Sequence, residues 1–271
     1  MFNNILRFTQ KKAENLYKNS VLANNLDKFI FASIILVFIT STFAQSDLIG
    51  FIALITVLLT FIKILIKPDE KLETSCFELW LLAYFMIVII SLAGSTLFHL
   101  SLKGFFKTFT YLAFYVSTAQ YLKSNKNHIP YILGAIGLCV SFEAITGILQ
   151  NFAKVSEIST WQDVTNLNPE QVMTRVYGTL KPLNPNLLGG YFVAGIPSLY
   201  GISAYLFADK KYNYAFIWLI LALISTLTLF LTGCRGSYIG MFIIFCGIFA
   251  IYSSPNISKT LFTSEKISLV F

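Results

Sequence analysis

The sequence predicts an all-α, polytopic membrane protein, and three observations support this prediction. Of the 271 residues, 56% are hydrophobic and only 12% are charged, whereas soluble domains carry about 25% charged residues. The mean hydropathy is +0.69. Eight apolar segments approach the ~20 helical residues that cross a bilayer core, and none has the alternating pattern of a membrane β-barrel strand. We therefore expect a bundle of about eight transmembrane helices.

The predicted spans follow one another along the chain with one long interruption. They cover residues 29–45, 48–66, 76–97, 104–122, 130–150, 187–207, 212–232 and 237–252. Because no small-residue cleavage pattern follows the first apolar run, we interpret that run as a retained helix and not a signal peptide. The predicted organisation is a cytoplasmic N-terminal segment (1–28), a transmembrane domain (29–252) with one outer loop (151–186), and a C-terminal segment (253–271).

The basic residues predict the orientation of the chain. With a cytoplasmic N-terminus, most of the 20 Lys and Arg residues fall in inner segments or at inner helix ends. Those on the outer side are Lys103, Lys107, Lys154, Arg175, Lys181 and Arg235. This bias agrees with the positive-inside rule. Lys63, near the inner end of the second span, is expected to extend its ammonium group to the membrane interface.

The charge and the cysteines exclude two other kinds of site. The basic residues behind the net charge of +7 are spread between apolar segments, so no nucleic-acid partner is expected. The cysteines form neither a C-x-x-C pair nor a zinc-type spacing. They are Cys76, Cys139, Cys234 and Cys246. We predict no metal site and no disulfide framework.

Two arginines lie just ahead of apolar runs on the predicted outer side. Arg175 precedes the sixth span and Arg235 precedes the eighth. A helix N-terminus already favours anions, and a guanidinium adds a positive charge and a fork of donors. We predict that the two arginines converge on a phosphate-like or carboxylate-like group. The simpler alternative is that each anchors a helix end by binding nearby carbonyls or lipid phosphates.

The residues beside these arginines predict two capped helix starts. Before the sixth span, Asn184 or Asn186 is the predicted N-cap, and Pro185 suits the first turn. Before the eighth span, glycines flank Arg235 and allow a tight turn. Ser237 is the predicted cap of that helix. Both helix N-termini would then open toward the outside.

Two further ionisable groups lie within predicted spans. Glu143 is in the fifth span, about 10 Å below its outer end at helical rise, and Lys107 is near the outer end of the fourth. Carboxylates at membrane depth are costly, so they are commonly functional. Three roles stay open for Lys107 and Glu143: a structural ion pair, a proton or ion pathway, and a contribution to the polar outer site.

Three strings in the second half of the chain carry a family resemblance. Residues 173–180 read MTRVYGTL, residues 184–191 read NPNLLGGY, and residues 231–236 read LTGCRG. Together they resemble the O-antigen ligase and O-antigen polymerase superfamily. Within it, they are most similar to the cyanobacterial branch described as bicarbonate transporters. The resemblance spans nearly the whole chain, although outside these strings it is mostly shared hydropathy.

The resemblance implies a multi-pass protein of the bacterial inner (plasma) membrane that binds a lipid-diphosphate-linked glycan from the outer side. Arg175 and Arg235 would bind the diphosphate of an undecaprenyl-diphosphate-type donor, and the glycan would pass to a glycan or lipid acceptor. The other candidate binding residues are Tyr177, Asn184, Asn186 and Ser237. Such a glycan ligase or glycosyltransferase needs no metal and no cofactor, because the leaving group is already activated and electrostatic stabilisation is the main catalytic contribution.

Two alternatives to this enzyme remain open. A transporter of bicarbonate or another small anion would need a polar trail across the membrane and related halves, whereas Glu143 and Lys107 both lie toward the outer side. A truncated, inactive relative is the other alternative. Family members continue through further helices and a second outer loop with a histidine, and this chain ends at Phe271.

Overall fold

The computed structural model describes residues 8–13, 17, 20–68, 70, 72, 76–153 and 175–253. Within these ranges the protein is helical and contains no strand, which confirms the all-α fold class. The long helices are α1 (Leu26–Phe43), α2 (Ser46–Ile66), α3 (Cys76–Ala93), α4 (Phe98–Ser124), α5 (Ile129–Phe152), α6 (Pro185–Ala208), α7 (Tyr212–Leu231) and α8 (Arg235–Ser253). Most of the predicted outer loop (residues 154–174) and the C-terminal segment lie outside the described residues.

Five segments are long and apolar enough to cross a membrane. They are α1, α2, α6, α7 and the segment Lys126–Phe152, which contains α5. The apolar parts of α3 and α8 are shorter, at Phe77–Ala93 and Arg235–Ala250. Helix α4 has 27 residues, but its three lysines make it less apolar than the others. The chain is therefore a multi-pass membrane protein by helix length and composition, and the count of about eight spans stays a prediction.

The chain divides into two compact units, Met1–Ile129 and Pro130–Phe271. In the N-terminal unit, α2 packs against both α1 and α4, and α3 packs against α4. Val37, Ile52 and Ala53 form a small buried apolar cluster there. A hydrogen bond of 3.0 Å from Thr56 Oγ1 to Ser33 Oγ joins α1 and α2 inside the unit. Small polar side chains thus support close helix contact, as is common in membrane bundles.

A buried group of charges closes one end of the N-terminal unit. Lys63 Nζ lies 2.7 Å from Asp27 Oδ1 and 3.0 Å from Glu70 Oε1, and the Lys63 side chain is 2% exposed. Lys67 contacts the same two carboxylates, and Ser124 Oγ donates to Glu70 Oε1 at 2.8 Å. The expectation that Lys63 extends to the interface is wrong, because two carboxylates neutralise its ammonium inside the fold.

The C-terminal unit is built around α6. Helix α6 packs against α7, and α8 packs against both. Val140 of α5 belongs to the same buried apolar core as Leu188, Phe192 and Leu199 of α6. Thr228 Oγ1 of α7 donates to the carbonyl of Ala144 on α5 at 3.2 Å. The core therefore fixes α5, α6 and α7 relative to one another and supports the segment between α5 and α6.

Candidate anion-binding site

The start of α6 is capped as the sequence predicts. Asn184 is the N-cap, and its side-chain oxygen accepts the backbone N–H of Asn186 at 2.8 Å. Pro185 occupies the first turn, where its missing N–H costs nothing. Because Asn184 supplies the cap, Asn186 is not the cap, and its exposed side chain is used elsewhere.

Arg175 bridges the start of α6 and the end of α7. Its Nε donates to the carbonyl of Thr232 at 2.7 Å, and its Nη2 donates to Asn186 Oδ1 at 2.7 Å. The Thr232 carbonyl lies at the C-terminal end of α7, which carries partial negative charge and favours a cation. The helix-anchoring alternative therefore describes part of what Arg175 does. A guanidinium has five N–H donors, and two of them bond to protein oxygens in the described part of the chain.

Arg235 is the first residue of α8 and is exposed. It follows Thr232 by three residues, so its Cα lies within about 11 Å of the Cα of that residue. Gly233 makes the turn between them with φ +63°, and a Cβ there would lie 2.9 Å from Arg175 Nε. The turn thus keeps Arg175 beside the start of the helix that carries Arg235. Within the described residues, the Arg235 guanidinium forms no hydrogen bond or ion pair.

The prediction that Ser237 caps α8 is wrong. Helix α8 begins two residues earlier, and Ser237 Oγ donates to Cys234 Sγ at 3.0 Å. The turn is closed instead by Thr232, whose Oγ1 accepts the N–H of Cys234 at 3.2 Å. A Cβ on Gly189 of α6 would lie 2.6 Å from Ser237 Oγ. Ser237 is therefore buried in the contact between α6 and α8.

The backbone N–H of Tyr177 is bound by a side chain of α5. Gln150 Oε1 accepts the N–H groups of Tyr177 at 3.1 Å and Gly178 at 2.9 Å. Gln150 Nε2 donates to the carbonyl of Gly178 at 3.0 Å. These three bonds fix the irregular chain that follows Arg175 against the end of α5.

Glu143 and Lys107 each have polar partners within their own unit. Glu143 is fully buried, and its carboxylate accepts the Thr179 N–H at 2.9 Å and the Thr179 hydroxyl at 2.5 Å. Lys107 Nζ lies 2.9 Å from Asp47 Oδ1 and 2.8 Å from Ser46 Oγ, at the start of α2. Asp47 lies in the first turn of α2, against which α4 packs, and its side chain is exposed.

Sequence reasoning missed Gln150, Thr179 and Thr232. A neutral amide at the end of an apolar span costs little free energy, so nothing in the sequence singled out Gln150. One signal was present, since residues 143 and 150 are seven apart and therefore share a helix face. In the described ranges, no group of three or more His, Cys, Asp or Glu residues is arranged to hold a metal ion.

Comparisons with known proteins add no relative. No protein-family model matches the chain, no curated protein is significantly similar to it, and no solved structure matches its fold.

Proposed function

We propose that the protein binds the diphosphate of a polyprenyl-diphosphate-linked glycan at the outer membrane face and transfers the glycan to a glycan or lipid acceptor. The observation that supports this proposal is the position of Arg175. Its guanidinium is held between the start of α6 and the turn before α8, and Arg235 begins that second helix. Two cationic side chains and two helix N-termini therefore lie at one end of the C-terminal unit.

The chemistry of this end suits a diphosphate. Charge-assisted bonds between guanidinium groups and phosphate oxygens are short and strong, and the planar fork favours two oxygens at once. Helix N-termini add unpaired N–H groups directed at the anion. Arg175 keeps donors beyond its two protein contacts, and Arg235 is exposed. The bonds to Thr232 and Asn186 would hold Arg175 in place before the anion arrives, which lowers the cost of ordering it.

The proposed transfer uses the same contacts. The acceptor hydroxyl oxygen forms a bond to the anomeric carbon of the donor sugar, while the bond from that carbon to the diphosphate oxygen breaks. The lipid diphosphate leaves with the bonding electrons, and the hydroxyl proton passes to solvent. Guanidinium groups that contact the diphosphate stabilise the negative charge that grows on it.

Binding to a lipid diphosphate tests the proposal directly. Purified protein in lipid nanodiscs would be titrated with undecaprenyl diphosphate and, separately, with inorganic pyrophosphate. Arg175→Ala and Arg235→Ala should each weaken binding of the lipid diphosphate at least about tenfold, which corresponds to about 1.4 kcal/mol. Lys210→Ala is the control, because it removes an exposed positive charge after the opposite end of α6.

Two results would contradict the proposal. One is equal binding by the wild type and both arginine variants. The other is uptake of labelled bicarbonate by cells that express the protein, with loss of uptake in the arginine variants and no binding of either diphosphate. The second result would favour the anion-transport alternative.

A further inference from the structure

We infer that Gln150 and Glu143 are positioning residues that hold Arg175 in its anion-binding place. They form a clamp, defined here as the side chains of Gln150 and Glu143 with the backbone they bind at residues 177–179. The importance of the clamp for ligand binding rests on the proposed function. The placement of Arg175 by the clamp does not.

The two clamp residues are spaced to hold a segment without regular structure. Seven residues separate them along α5, which is about two turns and about 10 Å of helix axis. Both side chains therefore project from one face of α5. Gln150 binds residues 177 and 178, and Glu143 binds residue 179. The irregular segment lies beside α5 from one clamp residue to the other.

Hydrogen bonding explains why this segment needs polar partners from α5. Residues 175–180 form neither helix nor strand, yet Val176, Gly178 and Leu180 are buried. A buried backbone N–H without a partner is costly, and in a membrane protein it must be satisfied within the protein. The Val176 N–H donates to the carbonyl of Leu231 at 3.3 Å. The clamp accepts the next three N–H groups, so each N–H from residue 176 to residue 179 is satisfied.

The shape of the segment depends on the same contacts. Gly178 has φ +66°, and a Cβ at this position would overlap the Glu143 carboxylate. Glycine therefore allows both the left-handed backbone and the close approach of the carboxylate. On either side of Gly178, Val176 and Leu180 insert into the apolar core at 3% and 4% exposure. The clamp contacts and the two buried side chains together fix the position of the segment.

Arg175 immediately precedes the segment that these contacts fix. Its bonds to the Thr232 carbonyl and to Asn186 Oδ1 require its backbone to stay where the clamp holds the following residues. If the clamp is lost, the backbone from residue 177 to residue 179 loses three acceptor contacts and one donor contact. The Thr179 hydroxyl loses its acceptor as well. Both carboxylate oxygens of Glu143 are occupied by Thr179, which favours this structural task over an ion pathway.

The composition of the chain allows a direct test on Arg175. The sequence contains three arginines, Arg7, Arg175 and Arg235. Protein labelled with ¹⁵N only in arginine therefore gives three Nε–H signals, which single Arg→Lys variants assign. The Arg175 Nε–H donates to a protein carbonyl, so its exchange with water should be slow in the wild type.

Four variants separate positioning from general stability. Gln150→Ala and Glu143→Leu should each speed exchange of the Arg175 Nε–H at least tenfold. Glu143→Gln should stay close to the wild type, because an amide can accept the Thr179 N–H and donate to its hydroxyl. Ser141→Ala is the control on the same helix, since its buried hydroxyl donates to the carbonyl of Gly137 within α5. If Glu143→Leu does not fold, Thr179→Val replaces it and should speed exchange by a smaller factor.

The same samples would be titrated with inorganic pyrophosphate and with undecaprenyl diphosphate. We expect Gln150→Ala to weaken binding about as much as Arg175→Ala does, with rescue in Glu143→Gln relative to Glu143→Leu. Unchanged Arg175 exchange in folded Gln150→Ala and Thr179→Val would overturn the inference. If the wild type binds neither diphosphate, the proposed function fails, and the exchange rates still decide whether the clamp positions Arg175.

Discussion

Replacing Gly178 by alanine should destabilise the C-terminal unit, whereas adding one methyl group at an exposed glycine should not. The backbone at Gly178 has φ +66°, and an L-residue in that region costs about 1–2 kcal/mol. The added methyl also displaces the Glu143 carboxylate from its place. A buried polar group that loses its partner costs a further 1–3 kcal/mol or so. We therefore expect a loss of about 2–5 kcal/mol in the free energy of unfolding.

Thermal unfolding in detergent would measure this loss, with Gly190→Ala as the matched control. Gly190 is an exposed helical residue of α6, and no atom lies within 4 Å of a Cβ built on it. Alanine there should stabilise the helix by roughly 0.5–1 kcal/mol. The double variant Gly178→Ala/Glu143→Ala isolates the clash, because it keeps the backbone cost and removes the displaced carboxylate. Its destabilisation should be smaller than the sum of the two single effects. Equal melting temperatures for Gly178→Ala and Gly190→Ala would refute the reasoning.

Three further predictions concern other buried contacts. Lys63→Met should destabilise the N-terminal unit by about 1–3 kcal/mol, because the two carboxylates lose their buried cation and keep the partly exposed Lys67; a denaturant titration that shows less than about 0.5 kcal/mol would count against this reading. Burial raises the pKa of the Glu70 carboxyl, but Lys63 and Ser124 lower it more, so the folded-state pKa lies below the ordinary 4.5. This carboxylate therefore stabilises the fold above about pH 4.5 and loses its contribution as the pH falls through the folded-state pKa. Melting curves between pH 3 and 7 should show this loss in the wild type and a smaller one in Glu70→Gln. Gly189→Val should push α8 away from α6, since a Cβ at Gly189 already meets Ser237 Oγ at 2.6 Å, and a melting temperature equal to that of Gly190→Val would show that the contact is not tight.

Hydropathy alone located the long helices, because an apolar run of membrane length is a property of composition. It placed their ends less well. The predicted fourth span covers residues 104–122, whereas the observed helix is Phe98–Ser124, since helical hydrogen bonding continues through polar residues that hydropathy excludes. The start of α8 was misplaced for a related reason. Ser237 has good capping chemistry, but Thr232 closes the turn earlier through a bond to the Cys234 N–H.

At the candidate site, the sequence predicts the charged residues but not their partners. The two arginines could be found from sequence because a cation on the side that the positive-inside rule disfavours needs an explanation. The partners of Arg175 could not, since Asn186 and the Thr232 carbonyl are polar groups of kinds that occur at every helix end. The partner of Glu143 was equally hidden. A carboxylate in an apolar span suggests a cation, and here the partner is the backbone and hydroxyl of Thr179.

The segment from residue 175 to residue 180 costs more free energy than a solvated loop would, and this cost is the strongest argument that the segment has a function. A connection between two membrane helices is cheapest as a polar loop in water, where its backbone bonds to solvent. Here the chain instead buries Val176, Gly178 and Leu180, adopts a left-handed residue, and requires a buried Glu and a Gln as substitutes for helical hydrogen bonds. Local choices that oppose stability persist mainly where they serve function. Together these choices fix the position of one guanidinium between the start of α6 and the turn that joins α7 to α8, and an anion site requires a cation held in this way.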